Sequence, residues 1–184
     1  DTSVPVVDPL SGRRILVGIS GSIAAVKLPL VVSALAQRGA DVAVHYSSSK
    51  REAAETVAAI TALGRKAVAL QADLLDETAV TGLVARAAAA LGGPLTVLVN
   101  NASIFEYDTV QTATKRSWDR AMGSNLRAPF LLTQEFAVQC PQAVLDDGGE
   151  PRAQGLIVNM IDQRVRDQSS SQSFRSLTRR VARN

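Results

Sequence analysis

Cysteine and histidine are almost absent from this chain: Cys140 and His45 are the sole examples in 184 residues. A single thiol excludes an intrachain disulfide and fits a reducing compartment, so a cytoplasmic location is expected. The same scarcity offers no ligand cluster for a metal, and none is expected. Aromatics make up only 4% of the chain. The net charge of +3 owes much to a late arginine-rich stretch (Arg164, Arg166, Arg175, Arg179, Arg180 and Arg183). That stretch lacks the interleaved aromatics suited to base stacking, which argues against a nucleic-acid partner. No apolar run approaches the roughly 18 residues of a membrane span, and the opening residues lack the basic-then-apolar order of a signal peptide. No membrane partner is expected.

What the chain does contain is one apolar strand after another, separated by helical patterns. Residues 1–12 carry Pro5 and Pro9 and no periodicity, and read as a flexible lead-in. A first strand runs from Arg14 to Ser20, and a helical pattern holding Pro29 extends to Arg38, where Gly39 ends it. Val42 to Tyr46 is a second strand. Ser49-Lys50-Arg51-Glu52 reads as a capping box opening a helix that Gly64 closes. Lys66 to Leu70 is a third strand; Asp76 caps a helix that ends at Gly92-Gly93; Pro94 to Val99 is a fourth strand. A helical region containing Pro129 spans Lys115 to Gln139, and Gly155 to Ile161 follows the loop 141–154 as a fifth strand. Strands of nearly continuous apolar residues alternating with helices predict an α/β, doubly wound, Rossmann-like parallel sheet with helices on both faces. The domain is expected over residues 13–165, and 166–184 as a basic Ser/Arg-rich tail, disordered or forming a short helix near Phe174 and Leu177. Ligands in such folds bind beyond the carboxyl ends of the strands.

The first strand leads straight into Gly18-Ile19-Ser20-Gly21-Ser22 and then into a helix. Glycines allow the backbone to approach an anion, and the free N–H groups of a helix start point toward it. The second strand ends in His45-Tyr46-Ser47-Ser48-Ser49, hydroxyl-rich where an acid would select a ribose 2′-OH and repel a 2′-phosphate. The donors His45, Ser47, Ser48 and Ser49, with Lys50 and Arg51 beside them, therefore favour NADP over NAD.

From about Asp41 to Val165 the chain resembles the short-chain dehydrogenase/reductase family, and within it the pteridine-reductase-like branch. The resemblance is carried by Val44 to Ser49, Gln71-Ala72-Asp73-Leu74, Val97 to Ser103, Asn125-Leu126-Arg127-Ala128-Pro129-Phe130 and Ile157 to Asp162, in family order. It implies an NADP(H)-dependent oxidoreductase that transfers hydride to a flat, pterin-like heterocycle or a carbonyl. It also implies Asp73 and Leu74 at the adenine, Asn100, Ala102 and Ser103 along the cofactor crevice, and Phe105 stacking the substrate ring. Asn125 would hold a proton-relay water through its backbone, and Asp162 would relay protons. The family commonly forms homo-oligomers through the helix that here includes Ser117 to Gln139.

Two departures stand beside the match. No Tyr-x-x-x-Lys follows Asp162, Tyr46 and Tyr107 being the only tyrosines and Lys115 the last lysine, and the pattern stops before the family's last strand. Impaired or absent turnover and a C-terminally incomplete fold are therefore expected. Second, Gly18 to Lys27 departs from the family's glycine loop and resembles the FMN-binding flavoprotein family that includes phosphopantothenoylcysteine decarboxylase. There Gly18, Ser20, Gly21 and Ser22 would take the terminal phosphate of FMN. Three functions thus stay open: an NADP-type reductase, an FMN-binding flavoprotein fragment, and a non-catalytic nucleotide-binding or dimerisation domain.

Overall fold

A computed structural model of the chain describes residues 8–19 and 24–160. In order, the elements are β1 (Arg14–Ile19), α1 (Ala24–Gln37), β2 (Asp41–Tyr46), α2 (Lys50–Ala62), β3 (Ala67–Gln71), α3 (Glu77–Val80), α4 (Leu83–Leu91) and β4 (Val97–Asn100). There follow α5 (Lys115–Met122), a π-turn (Gly123–Arg127), α6 (Ala128–Gln139), β5 (Val144–Leu145), β6 (Pro151–Arg152) and β7 (Leu156–Asn159). One sheet has the order β3-β2-β1-β4-β7 with every neighbouring pair parallel. The chain winds from central β1 out to β3, then returns to the other side of β1 with β4. This is the doubly wound arrangement, and it puts the carboxyl ends of all five strands on one edge.

Alternation along β1 builds both cores. Leu16, with Ala43 and Leu98, faces α4 and α6 through Leu83, Val84, Ala87, Leu132 and Phe136. Ile15 and Val17, with Val42, Val44 and Val97, face α1 and α2 through Val32, Ala36, Ala53 and Ile60. Successive strand side chains point to opposite faces, so strands apolar at every position bury both.

Several local expectations change. The helix expected from Asp76 to Gly92 is divided at Thr81-Gly82, where Gly82 takes a left-handed φ of 83°. Asp76 does cap α3, accepting from the N–H groups of Thr78 and Ala79. The restarted α4 has no side-chain cap of its own; the Glu135 carboxylate of α6 accepts from the Gly82 N–H at 2.6 Å and the Val84 N–H at 3.4 Å. Ser49 stands at the N-cap of α2, but its side chain makes no capping hydrogen bond, so the expected capping box is not formed. The long helix from Lys115 is continuous in path, yet passes through a π-turn ahead of Pro129, and the loop 141–154 holds the small β5–β6 hairpin. Residues 8–12, expected to belong to the lead-in, form turns tied to the body of the domain by Gly12 N–H to the Gly39 carbonyl and by the Asp8–Arg38 ion pair.

Leu98 is 1% exposed and belongs to the α4/α6 core. Replacing it with Ala should cost about 2–5 kcal/mol, a large part of the roughly 5–15 kcal/mol typical of a domain. A urea midpoint that barely moves would show that this face is not the packed core.

Candidate functional site

The carboxyl edge of the sheet carries a small, mainly apolar cavity lined by Gly18 of β1, His45 of β2, Leu74 after β3, Asn100, Asn101 and Ala102 at the end of β4, and Pro129 and Leu132 of α6, and bordered by the core residues Leu16, Leu83 and Leu98. Gly18 is the point of closest approach. A Cβ built on it would meet the Ala102 Cβ at 2.9 Å and His45 Nδ1 at 3.2 Å. Gly18 is buried, and Ala102 and His45 occupy the space a side chain would take. This close approach draws the ends of β1, β2 and β4 together at the carboxyl edge, where folds of this class bind phosphate-bearing ligands.

Hydrogen bonds hold the rim. The Asn101 amide donates to the Gly18 carbonyl at 2.8 Å, tying the end of β4 to β1. The Asn100 amide donates to Asn159 Oδ1 on β7 at 2.9 Å, while its own Oδ1 is enclosed without a partner among the described residues. A buried amide oxygen left without a donor is a group that a ligand hydroxyl or amide can satisfy. Asp73 Oδ1 accepts from the Leu75 N–H at 3.0 Å, and this turn aims Leu74 into the cavity.

The segment after β4 is latched to the helix beneath it. Asn125, in the π-turn, accepts from the Ile104 N–H and donates to the Ile104 carbonyl, both at 2.8 Å. Two residues on, the Glu106 carboxylate accepts from Arg120 Nε at 2.7 Å. Phe105 lies between these attachments. It is 46% exposed and meets Tyr107 edge to face with ring centroids 5.9 Å apart. π-turns inside α-helices concentrate at functional sites, because the extra residue reshapes the local pattern of backbone hydrogen bonds.

The structure therefore gathers Gly18, His45, Leu74, Asn100 and Ala102 around one cavity, with Asp73 and Ser103 in the same two rim segments. Ser47 and Ser48 are exposed on the β2–α2 turn, and Ser49 is half-buried at the start of α2. Ser20, Gly21, Ser22 and Asp162, and the tail 166–184, lie outside the described residues. Asn101 was not among the expected site residues. Its signal is a second Asn at a strand end where the first already serves the neighbouring strand.

One expectation changes in kind. His45 is expected as a donor to a 2′-phosphate, but its ring is 3% exposed and points inward, with Nε2 3.0 Å from the Ala72 carbonyl. Burial holds the imidazole below its ordinary value of 6.5. The hydrogen bond to Ala72 opposes that shift, Arg86 adds to it and Asp73 opposes it. A ring in the interior whose Nε2 already meets the Ala72 carbonyl is not the free donor expected at that strand end.

The sequence holds one Tyr-x-x-x-Lys, Tyr46-Ser47-Ser48-Ser49-Lys50. Its place excludes it as the pair expected after Asp162. Tyr46 packs against the α1/α2 core, at the end of β2, whereas Asn125 and Phe105 belong to the segments beside β4.

A parallel doubly wound sheet with a glycine cradle at its switch point defines a nucleotide-binding α/β protein as a class. The family model for short chain dehydrogenases matches residues 28–171, and the chain belongs to that family. It is 41% identical over 104 residues to an uncharacterized oxidoreductase of Methylorubrum extorquens, covering 56% of this chain and 42% of that protein. Against the uncharacterized oxidoreductase YgfF of Escherichia coli the identity is 39% over 127 residues, covering 68% of this chain and 49% of that one. Among solved structures, a short chain dehydrogenase from Burkholderia cenocepacia in complex with NADP is similar at 32% identity and a TM-score of 0.73, covering 94% of this chain and 64% of that chain. FolM alternative dihydrofolate reductase 1 from Brucella canis, complexed with NADP, gives 30% identity and a TM-score of 0.73, with the same coverage of 94% and 64%. The chain spans less than half the length of these two curated relatives, 42% and 49%.

Two outcomes test this geometry. Gly18→Ala forces a Cβ to 2.9 Å from the Ala102 Cβ, and overpacking of this kind should cost about 1–3 kcal/mol. A melting temperature equal to wild type would show that the cradle is loose. The second concerns pH. Because the folded state holds His45 below 6.5, the unfolded chain takes up a proton first as pH falls through that value. Stability from this source is complete above it and declines as pH drops toward the folded-state value. His45→Gln should remove this part of the decline, which melting curves at about pH 7.5 and about pH 5.5 would show.

Proposed function

We propose that the chain is the nucleotide-binding part of an NADP(H)-dependent oxidoreductase of pteridine-reductase type, with a flat heterocycle or carbonyl as its small-molecule substrate. The observation that carries the reading is the Gly18 cradle at the switch point between β1 and β4, pinned by Asn101 and backed by Ala102. The residues fit a dinucleotide. Gly18 brings the ends of β1 and β4 together at the crevice where folds of this class bind a pyrophosphate, and the enclosed Asn100 Oδ1 lacks a donor among the described residues. Asp73 keeps its second carboxylate oxygen beyond the Asx turn for an adenine amino group. At the end of β2, Ser47 and Ser48 are exposed with no acidic residue among them, next to an α2 start whose N-cap side chain is uncommitted. That supports 2′-phosphate recognition by Ser47, Ser48 and Ser49 with Lys50 and Arg51, a role His45 does not share. Structural neighbours solved with NADP or NADPH support the same cofactor.

Bound NADPH would supply the hydride. The chain's own residues bind and orient. Asn125 and Arg120 hold the segment carrying Phe105, whose exposed ring is offered to a flat substrate. The dihydrofolate reductase name of the Brucella neighbour supports a pterin-like substrate. Asp162 is the proposed proton relay. With no Tyr-x-x-x-Lys after Asp162, this chain as it stands binds the cofactor without turning over.

The 184-residue chain should bind NADPH more tightly than NADH, followed by cofactor fluorescence, and should not oxidise NADPH in the presence of a dihydropterin. The double substitution Lys50→Glu, Arg51→Glu should weaken NADPH binding by about tenfold, equivalent to about 1.4 kcal/mol, and leave NADH binding little changed. Equal affinity for both cofactors would overturn the 2′-phosphate assignment. A yellow, flavin-containing preparation would instead favour the FMN reading of Gly18 to Lys27.

A further inference from the structure

We propose that His45 is a positioning residue for nucleotide binding, a neutral imidazole strut that sets the spacing between the glycine cradle of β1 and the adenine-side loop after β3. The inference rests on the reading of the carboxyl edge of the sheet as an NADP site. Its corollary is that protonating this ring weakens the binding of the nucleotide.

The geometry has two contacts. On one side, Nε2 lies 3.0 Å from the Ala72 carbonyl, at the point where the chain leaves β3 for Asp73 and Leu74. A carbonyl only accepts, so Nε2 carries the proton, and in the neutral ring Nδ1 is the bare nitrogen. On the other side, Nδ1 faces Gly18, its register partner across the β1–β2 ladder, and would stand 3.2 Å from a Cβ placed there. The ring thus fills the interval between the cradle and the adenine-side loop, and both ends of that interval line the same cavity through Gly18 and Leu74. The rest of β2 shows what packing alone asks for: Val42, Ala43 and Val44 are fully buried and apolar. A polar ring at the next position gives the Ala72 carbonyl a donor that an aliphatic side chain would not.

Protonation would put a hydrogen and a charge on Nδ1, where β1 and the end of β4 offer Gly18 and Ala102, neither ionisable. The charged groups that act on the ring are Arg86 of α4, which opposes protonation, and Asp73 after β3, which favours it; burial outweighs both. A charged ring is accommodated only by shifting away from Gly18 or toward water, and either movement alters the cradle.

Because His45 is the only histidine, its imidazole proton resonance is a single reporter, and the test needs no turnover. In wild-type protein the ring should titrate below its ordinary range, and its midpoint should fall further when NADPH is added, since linkage is reciprocal. NADPH affinity should drop by about threefold or more between about pH 7.5 and about pH 5.5 through this group. His45→Gln should lose that part of the dependence and keep only what the cofactor's own 2′-phosphate contributes. It should also bind NADPH about threefold or more weakly than wild type at the higher pH. If the glutamine variant fails to fold by circular dichroism, the wild-type resonance decides alone. A midpoint that rises on adding NADPH would make the ring a phosphate ligand and overturn the proposal. So would an unchanged midpoint, or a folded variant with wild-type affinity and pH profile, either of which reduces His45 to packing. Wild-type protein that binds no NADPH at either pH would overturn the NADP reading and this inference together. Wild-type binding with any of the contrary results above would overturn this inference alone.

Discussion

The site depends on a missing side chain. Gly18 stands where β1, β2 and the end of β4 converge, and a Cβ there would lie 2.9 Å from the Ala102 Cβ and 3.2 Å from His45 Nδ1. Contacts that short are not relieved by rotating a side chain, because one partner is the Cβ of Ala102, fixed to its own backbone. The strands can approach this closely only if the residue between them is glycine. Everything that faces the cavity is arranged around that approach: the Asn101 amide on the Gly18 carbonyl, the His45 ring against the same residue, and Ala102 small enough to meet it. A larger residue at 102 would press on the same point from the opposite side.

The forces that make the fold and those that shape the site differ in kind. Ile15, Leu16 and Val17 are buried to 0–2% exposure and send alternate side chains into two apolar layers. At about 1.5–3 kcal/mol for each fully buried large aliphatic side chain, those layers carry the domain. A hydrogen bond of the Asn101–Gly18 or Asn125–Ile104 type contributes about 0.5–1.5 kcal/mol net, too little to decide whether the sheet forms. What these bonds do is select one conformation for rim segments that have few apolar contacts of their own. Asn125 shows the division well. Its helix is fixed by Ala128, Leu132 and Phe136 below it, and the amide then hands that fixed frame to Ile104 and Phe105.

The succession of strands and helices, and with it the doubly wound parallel class, is legible because it follows from short-range pattern. Apolar runs such as Leu16-Val17 and Val42-Ala43-Val44 signal strands buried on both faces, and Gly39 and Gly64 mark helix ends with left-handed φ values of 92° and 73°. What escaped was set by tertiary partners. The break at Gly82 is stabilised by Glu135, 53 positions away in sequence, so nothing near Thr81 announced that the helix would restart. Ser49 and Glu52 have the spacing of a capping box, yet the Glu52 carboxylate pairs with Arg51 and the serine is left uncommitted. His45 was misjudged for a related reason. Its position next to a hydroxyl-rich turn suggested the surface, whereas strand alternation directs its ring toward the α4 side and under Gly18. Side-chain direction in a strand follows parity, not neighbouring composition.

Parity and placement also separate a motif from its function. Tyr46 and Lys50 have the spacing of the family's tyrosine–lysine pair, but residues four apart share one face only within a single helix. Here Tyr46 is the last residue of β2 and Lys50 the first of α2, with a turn between them. The tyrosine ring packs into the α1/α2 layer, whereas the Phe105 segment is latched to the α5–α6 helix on the other side of β1. No rotamer change carries a side chain across a strand of the sheet. Position at the carboxyl edge decides what a residue can do here, and by that criterion Tyr46 and Lys50 belong to the nucleotide side of the sheet and not to the segment that carries Phe105.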